Sequence, residues 1–277
     1  MIDVHSHILN NVDDGSDSIE STIENLKKAE KAGFSDIILT PHYIEEYYEN
    51  KKDIIKSKIS ELKQTVYDQE IIVQLHQGNE ILLTENTPKL LVDSQISTLA
   101  NSRYILFELP FSNRMLDLEQ IIYTIKANGY IPILAHPERY TYIQENPESL
   151  IDIIKCGVLI QSNYGSFIEQ YGKTAKNTVE ILLENRLINF LGSDTHKQGH
   201  IYDNINTILK KMKEIVHSEK YIYQITTSNP QKILNDVEYS YNFFDNVDFT
   251  QKSNEYEFSY YKSECDINVH IEMEDAA

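Results

Sequence analysis

The placement of the histidines and carboxylates constrains this chain more than any other feature. His5-Ser6-His7 with Asp14, His42, Glu80, Glu108, His136 and Asp194-Thr195-His196 all stand where a hydrophobic run ends, as after Asp36-Ile37-Ile38-Leu39-Thr40 and Ile131-Pro132-Ile133-Leu134-Ala135. In a barrel of alternating strands and helices the C-terminal strand ends converge on one mouth, so residues far apart in sequence meet there. The pattern implies an α/β barrel carrying a multinuclear metal site of hydrolytic type.

Seven runs read as strands: Ile2 to His5, Asp36 to Thr40, Ile71 to Gln77, Tyr104 to Leu109, Ile131 to Ala135, Val158 to Ser162 and Ile188 to Gly192. Helical spacing separates them. In Ser18 to Lys31 it places Ile19, Ile23, Leu26, Ala29 and then Ala32 on one face, and Gly33 follows as a stop. Further helices are expected near Lys51 to Val66, Leu116 to Asn128, Pro147 to Cys156, Thr174 to Asn185 and Asp203 to Val216. Asn229-Pro230 reads as a cap and first helical residue, with a short helix to Leu234 closing the barrel. The stretch Ile81 to Leu99 is expected to insert a short hairpin or helix. Strands alternating with helices imply parallel pairing through right-handed crossovers.

His5 and His7, one residue apart on a strand, face the same way and can share an ion. A pair of surface histidines is the alternative, but Asp13-Asp14-Gly15 favours a site, because a carboxylate beyond a tight loop can reach back to a neighbouring ion. A charged Glu108 inside Ile105-Leu106-Phe107-Glu108-Leu109 is costly to bury without a cation or hydrogen bonds. Arg139, three residues after His136, offers a planar fork of donors to phosphate oxygens; the plainer reading is a salt bridge to Glu138. His76, His217 and His270 are expected to be structural or solvated.

Composition sets the exclusions. The 277 residues suit one barrel, assigned to residues 1–237, followed by an acidic, Tyr-rich extension over 238–277. From Glu238 onward, ten acidic residues face two basic ones, which accounts for −8 of the net charge of −18. That balance excludes nucleic-acid binding through a cationic face. Two cysteines exclude a disulfide framework and fit a reducing, cytoplasmic compartment. No apolar run approaches the roughly 20 residues of a membrane span, and with a strand starting at Ile2 no leader is expected. Alternation in the extension, at Tyr256, Phe258, Tyr260 and then Ile267, Val269, Ile271 and Met273, fits either a hairpin or a mobile tail. Six positions after Cys156 and Cys265 stand Ser162 and Ile271, not the arginine that a cysteine phosphatase needs.

The motifs His5-Ser6-His7-Ile8-Leu9, Asp13-Asp14-Gly15, Thr40-Pro41-His42, Ala135-His136-Pro137-Glu138-Arg139 and Gly192-Ser193-Asp194-Thr195-His196 resemble the PHP (polymerase and histidinol phosphatase) superfamily. Within it they are similar to the bacterial capsule-type tyrosine phosphatases, the CpsB/YwqE family. The resemblance spans Met1 to about Asp236. It implies a distorted (βα)7 TIM-like barrel binding three metals, usually Mn2+ with Fe or Zn as alternatives, and a phosphatase acting on protein tyrosine. It places one ion at His5, His7, Glu80 and Asp194, a second at Glu80, Glu108 and His136, and a third at Asp14, His42 and His196. Arg139 would bind phosphate, and His196 or His200 would protonate the leaving group. The implied partner is a tyrosine-phosphorylated protein, a bacterial tyrosine autokinase of capsule or exopolysaccharide synthesis. Two departures stand out. Asn10-Asn11 replaces the usual proline-glycine, and Lys197-Gln198-Gly199-His200-Ile201 lacks a second phosphate-binding arginine, leaving Lys197 or His200 to substitute. Rival readings are a PHP phosphatase of a small ester such as histidinol phosphate and a non-catalytic, metal-stabilised interaction module.

Overall fold

A computed structural model describes residues 1–197 and 200–239 of the chain. The alternation expected over 240–277 therefore lies outside the described residues. Each of the seven runs contains a strand, and past the second and the third the chain resumes as a further short strand. The strands are β1 (Ile2–Ser6), β2 (Asp36–Leu39), β3 (His42–Ile44), β4 (Tyr48–Glu49), β5 (Gln74–Gln77), β6 (Glu80–Leu82), β7 (Tyr104–Glu108), β8 (Ile131–Ala135), β9 (Leu159–Asn163) and β10 (Phe190–Gly192). The longer helices are α1 (Ile19–Lys31), α2 (Lys52–Asp68), α3 (Thr87–Val92), α4 (Leu118–Ala127), α5 (Thr141–Glu145), α6 (Leu150–Lys155), α7 (Gly172–Glu184), α8 (His200–Val216), α9 (Glu219–Tyr223) and α10 (Asn229–Leu234).

The strands pair in the orders β1-β2-β5 and β10-β9-β8-β7-β6-β3-β4, parallel except for the β3-β4 hairpin. Because β2 runs on into β3 and β5 into β6, the two sheets are halves of one barrel. It closes where His7 N donates to Thr195 O at 2.9 Å and Asp194 N to His5 O at 2.9 Å. The break has a local cause. Pro41 has no N–H for a ladder, and Asn79 fills the gap, donating from Nδ2 to Pro41 O (3.0 Å) and Asn50 O (3.2 Å) while Oδ1 accepts from Ser97 N (2.8 Å). As a result His42 and Glu80 open new strand segments, paired across from one another, instead of ending the earlier ones.

Two apolar layers hold the barrel. Ile2, Val4, Ile38, Leu106, Ile133, Leu159 and Phe190 fill its interior, and a larger layer joins the strands to the helices, with Leu26 and Ala29 of α1 and Leu182 of α7 fully buried. Each such Leu or Ile contributes about 1.5–3 kcal/mol. α1 begins where the Ser18 side chain accepts from Ser21 N at 3.1 Å and ends with Lys28 and Lys31 in the last turn, favourable for its dipole.

The interior is sealed at the end where the strands begin. Asp236 accepts from Arg103 N at 2.8 Å, Tyr104 donates its hydroxyl to Val237 O at 2.7 Å, and Asn189 Nδ2 donates to the Tyr239 hydroxyl at 3.2 Å. Here the cap expected at Asn229 gives way to a different arrangement. α9 continues through a wide turn (Gln224–Ser228) into α10, so Asn229 is already helical and its Nδ2 donates to Asn189 O at 2.9 Å. The wide turn accommodates Pro230, which has no N–H to offer. Within Ile81 to Leu99 the insertion is the helix α3.

Candidate metal centre

At the opposite end, the nine candidate ligands gather from six strand ends. The tightest group is His5 Nε2, His7 Nε2, Glu80 Oε2 and Asp194 Oδ1. The two imidazole nitrogens are 3.0 Å apart, Glu80 lies 3.3 and 3.1 Å from them, and Asp194 3.6 and 3.5 Å. Donors held about 2.0–2.2 Å from one ion stand roughly 3–3.5 Å from one another. The spacing therefore matches the edges of a coordination shell.

The other candidates surround this group. His42 turns Nδ1 to Glu80 Oε2 (3.1 Å) and Glu108 Oε1 (3.6 Å), and Nε2 to Asp14 Oδ1 (3.6 Å). His196 Nε2 faces the same Asp14 oxygen at 3.5 Å. His136 Nε2 meets Glu80 Oε1 at 2.7 Å and Glu108 Oε2 at 3.9 Å. The groups that the resemblance implies thus overlap in space: His42 also reaches Glu80 and Glu108, and His7 also sides with Asp14, His42 and His196. Glu80 Oε2, His42 Nδ1 and His136 Nδ1 are buried with no hydrogen-bond partner among the described residues. Buried polar atoms are seldom left so, and a nitrogen and oxygen donor set with these orphans fits divalent cations.

Local structure aims each group. The carboxylate of Asp13 accepts from His7 Nδ1 (2.8 Å), His42 N (3.0 Å) and Gly15 N (3.0 Å), which turns His7 Nε2 inward. Gly15 is required because a Cβ there would overlap the His7 carbonyl, which accepts from Ser16 N at 3.0 Å. His136 and Asp194 hold left-handed backbone, φ 34° and 50°, a strain of about 1–3 kcal/mol apiece. Beneath them Asp3, fully buried, accepts from Ser193 N (2.9 Å), His5 N (3.2 Å) and the Tyr202 hydroxyl (2.8 Å), tying β1 to β10. Burial raises the pKa of Asp3 despite these bonds.

Arg139 pairs with the cluster and not with its neighbour. Its Nη1 donates to Asp194 Oδ2 at 2.8 Å, while its guanidinium lies between the rings of Phe111 (4.8 Å) and Tyr171 (4.3 Å). Glu138 turns away, accepting from Asn163 N (2.8 Å) and Ser166 Oγ (2.7 Å). Phe111, Arg139, Gln144 and Tyr171 line a recess of about 330 Å3 beside the cluster. Lys197 and His200 are both exposed, the latter opening α8; Gln198 and Gly199 between them lie outside the described residues.

The electrostatics suit displacement of protons by cations. Burial opposes charge on His5 and His42, but Glu80 and Asp194 raise His5 to about 9, and Glu80 and Glu108 raise His42 to about 10. Burial, then the charge of Glu80, raises Glu108 to about 8, whereas burial, then Arg139, lowers His136 to about 4. Glu80 stays well below the usual carboxylate range because His5, His42 and His136 outweigh its burial. A hydrogen bond from His196 lowers Asp14 to about 2.

Strand β9, expected from the run Val158 to Ser162, carries no candidate ligand, and its two amides bear no ligand signature. Its Gln161 and Asn163 are fully buried and bond directly to His5 and Asp194. Their alternation was the available signal, since two amides spaced i, i+2 in an apolar strand point into the barrel together.

Comparison with known proteins agrees with this geometry. Residues 1–235 match the family model described as capsular polysaccharide synthesis, CpsB/CapC. A putative tyrosine-protein phosphatase CapC of Staphylococcus aureus is 31% identical over 245 residues, covering 83% of this chain and 96% of the relative. The tyrosine-protein phosphatase YwqE of Bacillus subtilis is 34% identical over 196 residues, covering 71% and 77%. A solved structure from a study of YwqE of Bacillus subtilis and CpsB of Streptococcus pneumoniae, described as unique metal-dependent tyrosine phosphatases, superimposes with a TM-score of 0.80 at 31% identity, covering 85% of this chain and 95% of that one.

Proposed function

The chain belongs to the CpsB/CapC family of capsular polysaccharide synthesis, and from that membership we propose that it is a metal-dependent phosphatase that hydrolyses phosphotyrosine in proteins. The observation that carries this reading is the bond from Arg139 to Asp194, which joins the buried donor cluster to an aromatic-lined recess. A phosphoryl group at the cluster would leave its aryl ring beside Phe111 and Tyr171, a fit that a small alkyl phosphate does not exploit.

In this reading His5, His7, Glu80 and Asp194 hold one cation, Glu80, Glu108 and His136 a second, and Asp14, His42 and His196 a third, with manganese resident. Cations held there supply Lewis acidity toward the phosphoryl oxygens and acidify the attacking water. Arg139, its plane fixed between two rings, directs its remaining N–H groups at the equatorial oxygens, where charge accumulates in the transition state. Hydrolysis forms a P–O bond from water and breaks the bond to the tyrosine oxygen, which takes up a proton. His196 cannot both bind a cation through Nε2 and donate from that atom, so donation falls to His200 or to water. A leaving group with a pKa of about 10 needs no stronger acid.

The phosphoprotein is a bacterial tyrosine autokinase of the capsule machinery, met in the cytoplasm. Among the described residues no helix is long and apolar enough to cross a membrane. Residues 1–237 form the catalytic domain and 238–277 an acidic extension. Phosphate release from a phosphotyrosine peptide and from histidinol phosphate, measured with manganese and then with a chelator, tests the reading. Chelator-sensitive turnover that favours the peptide by at least about tenfold is expected. Preference for histidinol phosphate would reassign the chain to small-ester metabolism.

A further inference from the structure

We infer that Gln161 and Asn163 of β9 form a positioning relay for the first cation site, fixing the His5 tautomer at one end and the Asp194 carboxylate at the other. The inference rests on the metal-dependent reading above and extends it to two residues that bind no ion themselves.

The relay has a defined polarity. His5 Nδ1 lies 2.9 Å from Gln161 Oε1, Gln161 Nε2 donates to Asn163 Oδ1 at 2.9 Å, and Asn163 Nδ2 donates to Asp194 Oδ2 at 2.8 Å. An amide offers one acceptor end and one donor end. Asp194 can only accept, so Asn163 must present Nδ2 to it and Oδ1 to Gln161, which in turn must present Nε2 to Asn163 and Oε1 to His5. The carboxylate at one end therefore dictates that His5 carries its proton on Nδ1. Once a cation displaces the second proton, Nε2 offers its lone pair toward His7, Glu80 and Asp194 Oδ1, the arrangement that ligation through Nε2 requires.

Packing supports this assignment. All five β9 residues are buried, so neither amide can turn to water without leaving a partner unpaired. A Cβ at Gly192 would crowd both the His5 Cβ and Gln161 Nε2, so the glycine keeps the space through which the relay reaches His5. Backbone bonds hold the strand in register on either side: His136 N donates to Gln161 O at 2.7 Å, and Asn163 N to Glu138 Oε1 at 2.8 Å. At the Asp194 end, Arg139 and the Tyr171 hydroxyl share the same oxygen, at 2.8 and 3.0 Å. Among the described residues no second group bonds His5 Nδ1, so the His5 end depends on Gln161.

The test is a manganese-binding isotherm of the full chain and its variants, followed by competition with a chelator, with thermal unfolding of the metal-free proteins as the fold control. Gln161→Met, close to isosteric but lacking the amide, should weaken one bound equivalent about 10–100-fold and leave the others within about threefold. Gln161→Glu keeps an acceptor for His5 Nδ1 and should regain most of that loss. Asn163→Leu should lose less, because Arg139 and Tyr171 still hold Asp194. An unchanged isotherm for Gln161→Met would overturn the relay, as would equal losses in all three variants that track their melting temperatures. A wild type that binds no manganese would instead overturn the function proposed above. Independently of any variant, nitrogen-15 NMR of the zinc-loaded wild type should show a slowly exchanging His5 Nδ1 proton, and a proton on Nε2 would refute the assignment.

Discussion

The inner group, His5, His7, Glu80 and Asp194, and the outer group, Asp14, His42 and His196, use the same side chains in opposite surroundings. Inner side chains are no more than 2% exposed, while Asp14, His196 and His42 are 56%, 33% and 15% exposed. Buried charges must be balanced by one another, by hydrogen bonds or by a cation, so the inner group is wired to Gln161, Asn163, Arg139 and Asp13. Water can satisfy the outer group, and the His196 ring has the Asp194 carbonyl 3.0 Å from its Nδ1 and the exposed Asp14 carboxylate 3.5 Å from its Nε2. A cation held by the inner group would complete the fold, whereas one held by the outer group would exchange at the rim.

The largest expected effect breaks the inner group. Glu80 meets His5, His7, His42 and His136, so Glu80→Ala should lower kcat/KM at least about a thousandfold and reduce bound metal by more than one equivalent, read by elemental analysis beside phosphate release. A variant retaining a tenth of the activity would show that the groups act separately. At the outer group, His196→Ala should lower activity only about 10–100-fold, lose a single equivalent and recover partly with excess manganese. Complete loss with no rescue would erase the distinction between the two groups.

The smallest effect is in pH. In the metal-free protein His5 and His42, raised to about 9 and about 10, hold protons that the unfolded chain releases near pH 6.5. Their contribution to stability is therefore full below about 6.5 and is lost as pH rises through 9 to 10. Glu108, raised to about 8, adds a loss of the same sign between about 4.5 and 8, while His136, lowered to about 4, destabilises as pH falls below about 6.5. Cations replace these protons and bind better as pH rises. Calorimetry with and without chelator should thus show the metal-dependent gain in Tm widening from about pH 6.5 to about pH 9, and a narrowing gain would mean that the inner histidines do not compete with metal.

Much of this arrangement was legible in the sequence because strand ends and ligand types coincide. Apolar runs located all seven strands, and His5, His7, Glu80 and Asp194 meet as the motifs imply. The resumption of the second and third strands as β3 and β6 was not legible, since it depends on Asn79 bridging to Pro41 and Asn50, contacts that no period encodes. Asn229 followed the local rule for a cap, but the helix arriving from α9 overrode it. Gln161 and Asn163 carry no ligand signature, so only the fold reveals what they touch. Asp13 was visible as part of a motif, but its grip on His7 and His42 depends on how the loop folds back over His7.

The closure beneath the barrel gives the molecule two poles. Tyr239 lies against Phe190 and Lys232 at the end where strands begin, and the ligand cluster sits where they finish. A contact made at this lower pole leaves the ligand cluster facing the other way. A surface or bead that gripped the described residues at that side would present every molecule mouth outward, which makes this pole the natural handle for oriented capture.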